Sequence, residues 1–306
     1  MAVAEPRRIN NISEFHRLAG LPRPAHPLIS LIRLEEVKRF SEALPAGQVL
    51  DFYTISLKHH AAGNFRYGQQ QYAGEDGVMY FMAPGQVFGP MATGEEALQM
   101  SGWGLYIHPD FLWNTSLSKR IKKYDYFAYA VHEALYLSEK EEATVNSLLQ
   151  TIQTEYFANT DNFSQDIIIS LVEVLLNYAD RFYHRQFLTR KIENHHLLNR
   201  LEELLTSYFE EGDLVMRGLP SVQFVAEKLA ISPNYLSSLL KVLTGRNTQQ
   251  HIQNRLLEQA KQQIAATHLS VSEIAYALGF EHPQSFSRLF KAKTGLSPLA
   301  FRQSIN

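Results

Sequence analysis

The sequence predicts an α+β protein of two domains, a β-rich N-terminal domain followed by helices and an all-α C-terminal domain. Three observations point there. Short runs rich in Val, Ile, Leu, Phe and Tyr, separated by turn residues, fill the first third of the chain. Helical apolar spacing replaces them after Ser138. A stretch beginning at Ser221 then repeats itself from Ser270 onward.

The whole chain sets the frame. Its 306 residues suffice for two domains, each burying its own core. With 45% hydrophobic and 20% charged residues, it has an ordinary globular composition. No apolar run approaches the ~20 residues needed to cross a bilayer, and MAVAEPRRINN lacks the apolar stretch of a signal peptide. The absence of cysteine excludes disulfides, zinc fingers and thiol catalysis. The expectation is a soluble cytoplasmic protein with no membrane partner. The net charge of −2 is unevenly spread: residues 219–306 carry 9 Lys+Arg against 4 Asp+Glu, and residues 1–218 carry 20 against 27. A basic tail on an acidic body fits a nucleic-acid footprint, although such a surplus is also common on ordinary surfaces.

Strands are expected at Leu28–Arg33, Val49–Leu57, Val78–Ala83 and Leu98–Ile107, bounded by LPAG (44–47), AAGN (61–64), GEDG (74–77) and APG (83–85). Such spacing suggests a sandwich or small barrel over residues 1–137. SEKE (138–141) reads as a capping box opening a helix to about Ala158. A second helix starts at Asp161 or Ser164 and runs to about Arg185. Its Ile168, Leu171, Leu175, Tyr178 and Phe182 recur at alternating spacings of three and four. That seam fits a dimerisation helix or packing on the chain's own β-domain, and the sequence favours neither. Residues 138–186 thus form a helical dimerisation or packing segment. A polar linker or hinge is expected over 187–198, with His195 and His196 in solvent, and a further domain over 199–306.

The repeat is the most informative feature. SVQFVAEKLAISPNYLSSLLKVLTG (221–245) aligns with SVSEIAYALGFEHPQSFSRLFKAKTG (270–295) through ten identities and one inserted residue. Each copy meets the steric demands of a helix-turn-helix. Val225 or Ile274 points inward, followed by the small Ala226 or Ala275 where a larger side chain would push the second helix away. Leu229 or Leu278 completes the face. The chain then turns at Ala230-Ile231 or Gly279-Phe280; Gly279 suits a left-handed turn, and Ala230 is strained there. The second helix buries Leu236, Leu239 and Leu240, or Phe286, Leu289 and Phe290, and Gly245 or Gly295 caps it. Between the copies, about Gln249 to Ala266 forms one helix with Ile252, Leu256, Ala260 and Ile264 on a face.

These residues resemble the DNA-binding domain of the AraC/XylS family of bacterial transcription regulators. The resemblance rests on Ile274-Ala275, Gly279-Phe280, Phe286-Ser287-Arg288, Phe290-Lys291, Gly295, Ser297-Pro298 and Phe301-Arg302, with Ile252, Arg255, Leu256, Ala260 and Lys261 in the linker helix. It covers about the last hundred residues. In copy two, Glu281, His282, Gln284, Ser285 and Arg288 are expected to be exposed. Family likeness makes Gln284, Ser285 and Arg288 base-facing. Arg288 suits a bidentate pair with guanine, and Gln284 one with adenine, each worth about 1–3 kcal/mol of discrimination. Copy one offers Asn234, Tyr235, Ser237, Ser238 and Lys241. It departs from the family where Ser238 replaces a common arginine and Leu240 a usual Phe. It therefore reads bases through Asn234 and Tyr235, or leans on phosphate contacts from Ser232, Lys241 and the helix N-terminus. Lys291 and Lys293 suit phosphates, or simply a solvated helix end.

The resemblance also implies a cupin-like barrel over 1–137 that binds a small effector, and the APGQVF segment (83–88) is loosely similar to that pattern. Polar and aromatic strand residues Tyr53, Arg66, Tyr67, Gln69, Gln71, Tyr80 and Trp103 are the pocket candidates. Arg66 suits an anionic effector, although its plainer reading is a surface arginine. A cupin enzyme would need a metal-ligand set, and no His-x-His occurs. His59 and His60 are adjacent, so on a strand they face opposite ways, and His108 stands apart. No metal, cofactor or catalytic residue is expected. The implied function is a transcription regulator, an activator under effector control, with promoter DNA, RNA polymerase, a small-molecule effector and a second copy as partners. The rival readings are a cupin-like enzyme with an accessory helical domain, which the missing metal ligands disfavour, and a helical module that binds protein.

Overall fold

The computed structural model describes residues 7–37, 48–60, 65–67, 70–72, 77–88, 100–130, 133–158, 161, 164–211 and 214–305. The chain divides into two compact units, Met1–Gln186 and Phe187–Asn306.

The first unit opens with β1 (Arg7–Ile9) and α1 (Ile12–Ala19). Asn11 caps α1 by accepting the Glu14 N–H at 2.8 Å, and Gly20 ends it in the left-handed conformation. Neither element was expected. The strands β2 (Ile29–Arg33), β3 (Gln48–Leu50), β4 (Tyr53–His60), β5 (Phe65–Tyr67), β6 (Gln70–Tyr72), β7 (Val78–Met82), β8 (Val87–Phe88), β9 (Met100–Ile107) and β10 (Leu135–Tyr136) follow, with the short helix α2 (Leu117–Arg120) before the last. Three of the four expected runs fall on one strand each. The run from Val49 breaks at Asp51 into β3 and β4. The turn pieces at 44–47 and 61–64, and most of 74–77, lie outside the described residues.

The expected barrel is not what the described strands form. They make three separate sheets: an antiparallel five-stranded sheet ordered β10-β7-β4-β9-β2, a three-stranded sheet β1-β3-β8, and the β5-β6 hairpin. In the second, β1 runs parallel to β3. Both faces of the five-stranded sheet are buried, and they differ in chemistry. Ile55, Leu57, Phe81, Trp103, Leu105 and Ile107 share one face. Thr54, Ser56 and Lys58 of β4 share the other with Tyr80 of β7 and Tyr106 of β9. Tyr106 belongs to a cluster with Leu50, Phe52, Phe15 and Ile9.

Helices α3 (Glu139–Phe157) and α4 (Ser164–Thr189) follow. The capping box is present, with the Ser138 N–H donating to Glu141 Oε2 at 2.9 Å. Helix α4 is tied to its own unit. Leu176 O accepts the Tyr126 hydroxyl at 2.8 Å, Glu133 O accepts that of Tyr183 at 3.2 Å, and Gln186 bonds both Ala134 O and the Tyr136 N–H. Ile168, Leu175 and Phe182 are accordingly buried in the protomer, whereas Leu171 and Tyr178 are half-buried. Most of the expected seam is thus core.

Where a polar linker was expected the chain is helical, with Arg190 as the break between α4 and α5 (Lys191–Glu211). The second unit continues through α6 (Leu214–Arg217), α7 (Val222–Leu229), α8 (Pro233–Thr244), α9 (Thr248–Ala266), α10 (Val271–Ala277), α11 (Pro283–Thr294) and α12 (Pro298–Ile305). One apolar core runs through it, taking Leu201, Leu205 and Phe209 from α5, Ile252, Leu256 and Ala260 from α9, and residues of α7, α8, α10 and α11. Among the described residues, no helix is long and apolar enough to cross a membrane.

Candidate nucleic-acid interface

The two helix pairs are built alike. Ser221 caps α7 by accepting the Phe224 N–H, and Ser270 forms a capping box with Glu273 on α10. Val225, Ala226 and Leu229, like Ile274, Ala275 and Leu278, are buried. Both turns close with matching bonds: Ile231 N–H to Ala226 O at 3.1 Å, and Phe280 N–H to Ala275 O at 3.0 Å. Both use a left-handed residue, Ala230 at φ 59° and Gly279 at φ 80°. Gly279 has a second constraint. A Cβ there would lie 2.6 Å from the Leu214 carbonyl oxygen. Both second helices start with proline and end at a left-handed glycine, Gly245 or Gly295.

Helix α11 buries Phe286 and Phe290, with Leu289 half-buried. Its opposite face presents Gln284, Ser285, Arg288, Lys291 and Lys293, all exposed, with Glu281 and His282 exposed just before it. His282 makes no side-chain cap bond. Behind α11, Phe301 packs on Phe290 with ring centroids 5.5 Å apart. Arg302 donates to Ile264 O at 3.2 Å and Leu269 O at 2.7 Å, holding α12 against the end of α9.

Helix α8 differs from α11. Leu236, Leu239 and Leu240 are buried, and Asn234 and Lys241 are exposed. Ser232 is half-buried and spends its acceptor on the Tyr235 N–H at 3.2 Å as the N-cap. Ser237 is half-buried, with its hydroxyl 3.0 Å from that of the fully buried Thr248. Ser238 is half-buried. Tyr235 is 9% exposed, and its ring meets Phe187 edge-on at 5.1 Å. The open presentation expected of Tyr235 and Ser237 is therefore not observed, because both are packed inside the unit.

Strand parity separates the effector candidates. Tyr80 lies opposite Ser56 on the polar face, with Lys58 Nζ 5.0 Å from its ring centre. Trp103 pairs with Leu57 on the apolar face. It is fully buried, donates to Asn146 Oδ1 at 2.9 Å and lies under the Arg33 guanidinium at 3.5 Å. Tyr53 takes the same parity as Trp103 and packs on Phe127. Arg66 pairs with Gln71, and Tyr67 with Gln70, through the β5-β6 backbone. The side chains of Arg66, Tyr67 and Gln71, and Gln69 altogether, lie outside the described residues.

The sequence reading missed the polar residues of the Tyr80 face. Thr54, Ser56 and Lys58 are 5–6% exposed, and burial pushes the Lys58 ammonium down to about 7. Among the described residues, Thr54 Oγ1 and, on β3, Gln48 Oε1 are buried without a hydrogen-bond partner. The alternation of β4 (Tyr-Thr-Ile-Ser-Leu-Lys) was the available signal. Among the described residues, no group of three or more His, Asp or Glu is placed to hold a metal ion. His59 Nε2 instead lies 2.7 Å from Glu142 Oε1, whose partner oxygen accepts the Gly77 N–H.

Comparison with known proteins agrees with the geometry of the second unit. Residues 225–304 match the family described as helix-turn-helix domain. The chain is 40% identical over 79 residues to the uncharacterized transcriptional regulatory protein YesN of Bacillus subtilis, covering 25% of this chain and 22% of YesN. It is 33% identical over 106 residues to the MmsAB operon regulatory protein of Pseudomonas aeruginosa, covering 31% and 34% respectively. The chain thus spans about a fifth and about a third of these relatives' lengths. Both are named as regulators, not enzymes. Among solved structures, the C-terminal domain of the two-component response regulator yesN from Fusobacterium nucleatum is 30% identical, with 33% of this chain and 96% of that one covered and a TM-score of 0.29. The C-terminal part of this chain, over residues 225–304, is a helix-turn-helix domain of the AraC type.

Proposed function

We propose that the chain is a sequence-specific DNA-binding transcription regulator, acting in the cytoplasm, with α11 and α8 as its recognition helices. The observation that carries this is the outward face of α11, where Gln284, Ser285, Arg288, Lys291 and Lys293 are all exposed while Phe286 and Phe290 anchor the other side. A helix of this kind fills the major groove, with Gln284, Ser285 and Arg288 against base edges. Lys291 and Lys293, and Lys241 on α8, suit phosphates. Glu281 and His282 lie at the groove entry. In copy one Asn234 is the open base reader, flanked by Ser238.

Control by a small effector is the second part of the proposal. Its support is the face carrying Thr54, Ser56, Lys58 and Tyr80, on which the Thr54 hydroxyl oxygen is buried with no hydrogen-bond partner among the described residues, as is the Gln48 side-chain oxygen on β3. Such atoms typically cost ~1–3 kcal/mol each to bury unpaired, and a hydrogen-bonding ligand relieves that cost. Activation through RNA polymerase and action as a homodimer complete the reading. Selection of random-sequence duplexes by the full-length protein, followed by sequencing, tests the central claim. Enrichment of a motif with two half-elements about one helical turn apart supports reading by both helices. No enrichment by the full chain or by residues 187–306 sinks it.

A further inference from the structure

The repeat supplies an internal control on accessibility. At the offset of 50 residues that aligns the second helices, Asn234 matches Gln284, Tyr235 matches Ser285, Ser238 matches Arg288 and Lys241 matches Lys291. On α11 all four positions are exposed. On α8, Asn234 and Lys241 are exposed, Ser238 is half-buried and Tyr235 is buried. The difference is local. It lies on the flank of α8 formed by Tyr235 and Ser238, which stand about 60° apart around a helix of 3.6 residues per turn.

Phe187, the first residue of the second unit, packs on Tyr235 of that flank. Its ring stands at 83° to that of Tyr235, with centroids 5.1 Å apart, and it is 3% exposed. The junction holding it is built. Phe187 lies among the last residues of α4, where carbonyls lose their helical partners. The Nδ2 of Asn194 donates to the Phe187 carbonyl, and Asn194 is itself 7% exposed. The Asn194 N–H donates to Arg190 O at 2.9 Å, starting α5 immediately.

A helix with its side chains is about 10–12 Å across, and the major groove is about 12 Å wide. The groove therefore accepts α8 with its flanks bare, and a phenylalanine ring on one flank does not fit beside it. We propose that Phe187, held by Asn194, masks the first recognition helix, so that this contact must open before α8 enters DNA. The matching positions of the second recognition helix are exposed, so that helix engages first. Helix α4 bonds within the first unit through Tyr183 and Gln186, and its next residue is Phe187. The mask therefore sits on the covalent route by which a change in the first unit reaches α8.

The inference rests on the assignment of α8 to DNA, and its test uses the full-length chain on a duplex taken from the selection above. Phe187→Ala should bind that duplex about tenfold more tightly than wild type, the scale of a lost edge-to-face contact and its buried area. The gain should vanish when the half-element read by α8 is scrambled and persist when the other is scrambled. Hydrogen exchange of the wild-type chain gives an independent reading that needs no variant. Amides of 187–194 should exchange faster in the DNA complex than in the free protein. Wild-type binding to both half-elements, with 187–194 equally protected on and off DNA, overturns the mask and leaves the DNA-reading assignment intact. Equal affinity of Phe187→Ala and wild type, with unchanged thermal unfolding, overturns it as well.

Discussion

Ala230 and Gly279 occupy equivalent turns, and their chemistry predicts opposite mutational signs. A left-handed Ala costs about 1–2 kcal/mol, of which a Gly recovers part after its larger unfolded-state entropy is subtracted. Ala230→Gly should therefore raise the urea midpoint, by about 0.5 kcal/mol in stability. Gly279→Ala should lower stability by more than about 1 kcal/mol, since the new Cβ meets the Leu214 carbonyl oxygen at 2.6 Å as well as the positive φ. The left-handed turn was legible in the sequence. The contact with Leu214 was not, because 65 residues separate the two positions and no local pattern marks their approach. Arg288 yields a functional prediction. Arg288→Ala should cost about 1–3 kcal/mol on the selected duplex and relax preference at its own half-element, measured by repeating the selection with the variant. A uniform loss across all sequences would instead mark Arg288 as a phosphate contact.

Helix α4 shows how one periodic pattern serves two arrangements. The spacing of Ile168, Leu171, Leu175, Tyr178 and Phe182 is equally suited to a partner helix or to the chain's own sheet. Burial of Ile168, Leu175 and Phe182 within the protomer supports the second use. Leu175→Ala should cost about 2–5 kcal/mol to unfolding of the first unit, independent of protein concentration. A penalty that grows on dilution would mark a dimer contact. Helix α9, with 19 residues, is about 28 Å long, against ~34 Å between successive major grooves on one face of straight DNA. Simultaneous insertion of both recognition helices is therefore expected to bend the duplex. A circular-permutation gel assay showing an unbent but fully protected site would oppose that expectation.

Across the molecule, the buried Lys58 links stability to pH. Its folded value of about 7 lies below the ordinary 10.5, so burial favours the neutral amine. Between those values the unfolded chain binds the proton and the folded chain does not, so stability from this group rises with pH across the window and is lowest below about 7. Lys58→Met, close in volume, should flatten the rise in thermal midpoint between pH 6.5 and 9. An unchanged pH dependence in the variant would show that Lys58 is not its source.

The second unit was readable residue by residue because its packing is short-range. Caps, small alanines and left-handed turns all act within a few positions, and the repeat displays them twice. The β-rich unit was readable as strands but not as an arrangement. Polar and apolar residues alternate visibly along β4, yet both faces are covered, and the identity of the covering elements depends on pairings such as β1 with β3 across some forty residues. Tyr53 and Trp103 take the face opposite Tyr80 through the registers of β4 with β7 and β9, which join distant segments of the chain. Likewise Tyr235 looks like an exposed recognition residue on its own helix, yet it is buried, and one of the rings it meets is that of Phe187, distant in sequence. Local sterics leave a pattern in the chain. Contacts closed over long loops leave none, because the residues that meet have no fixed spacing.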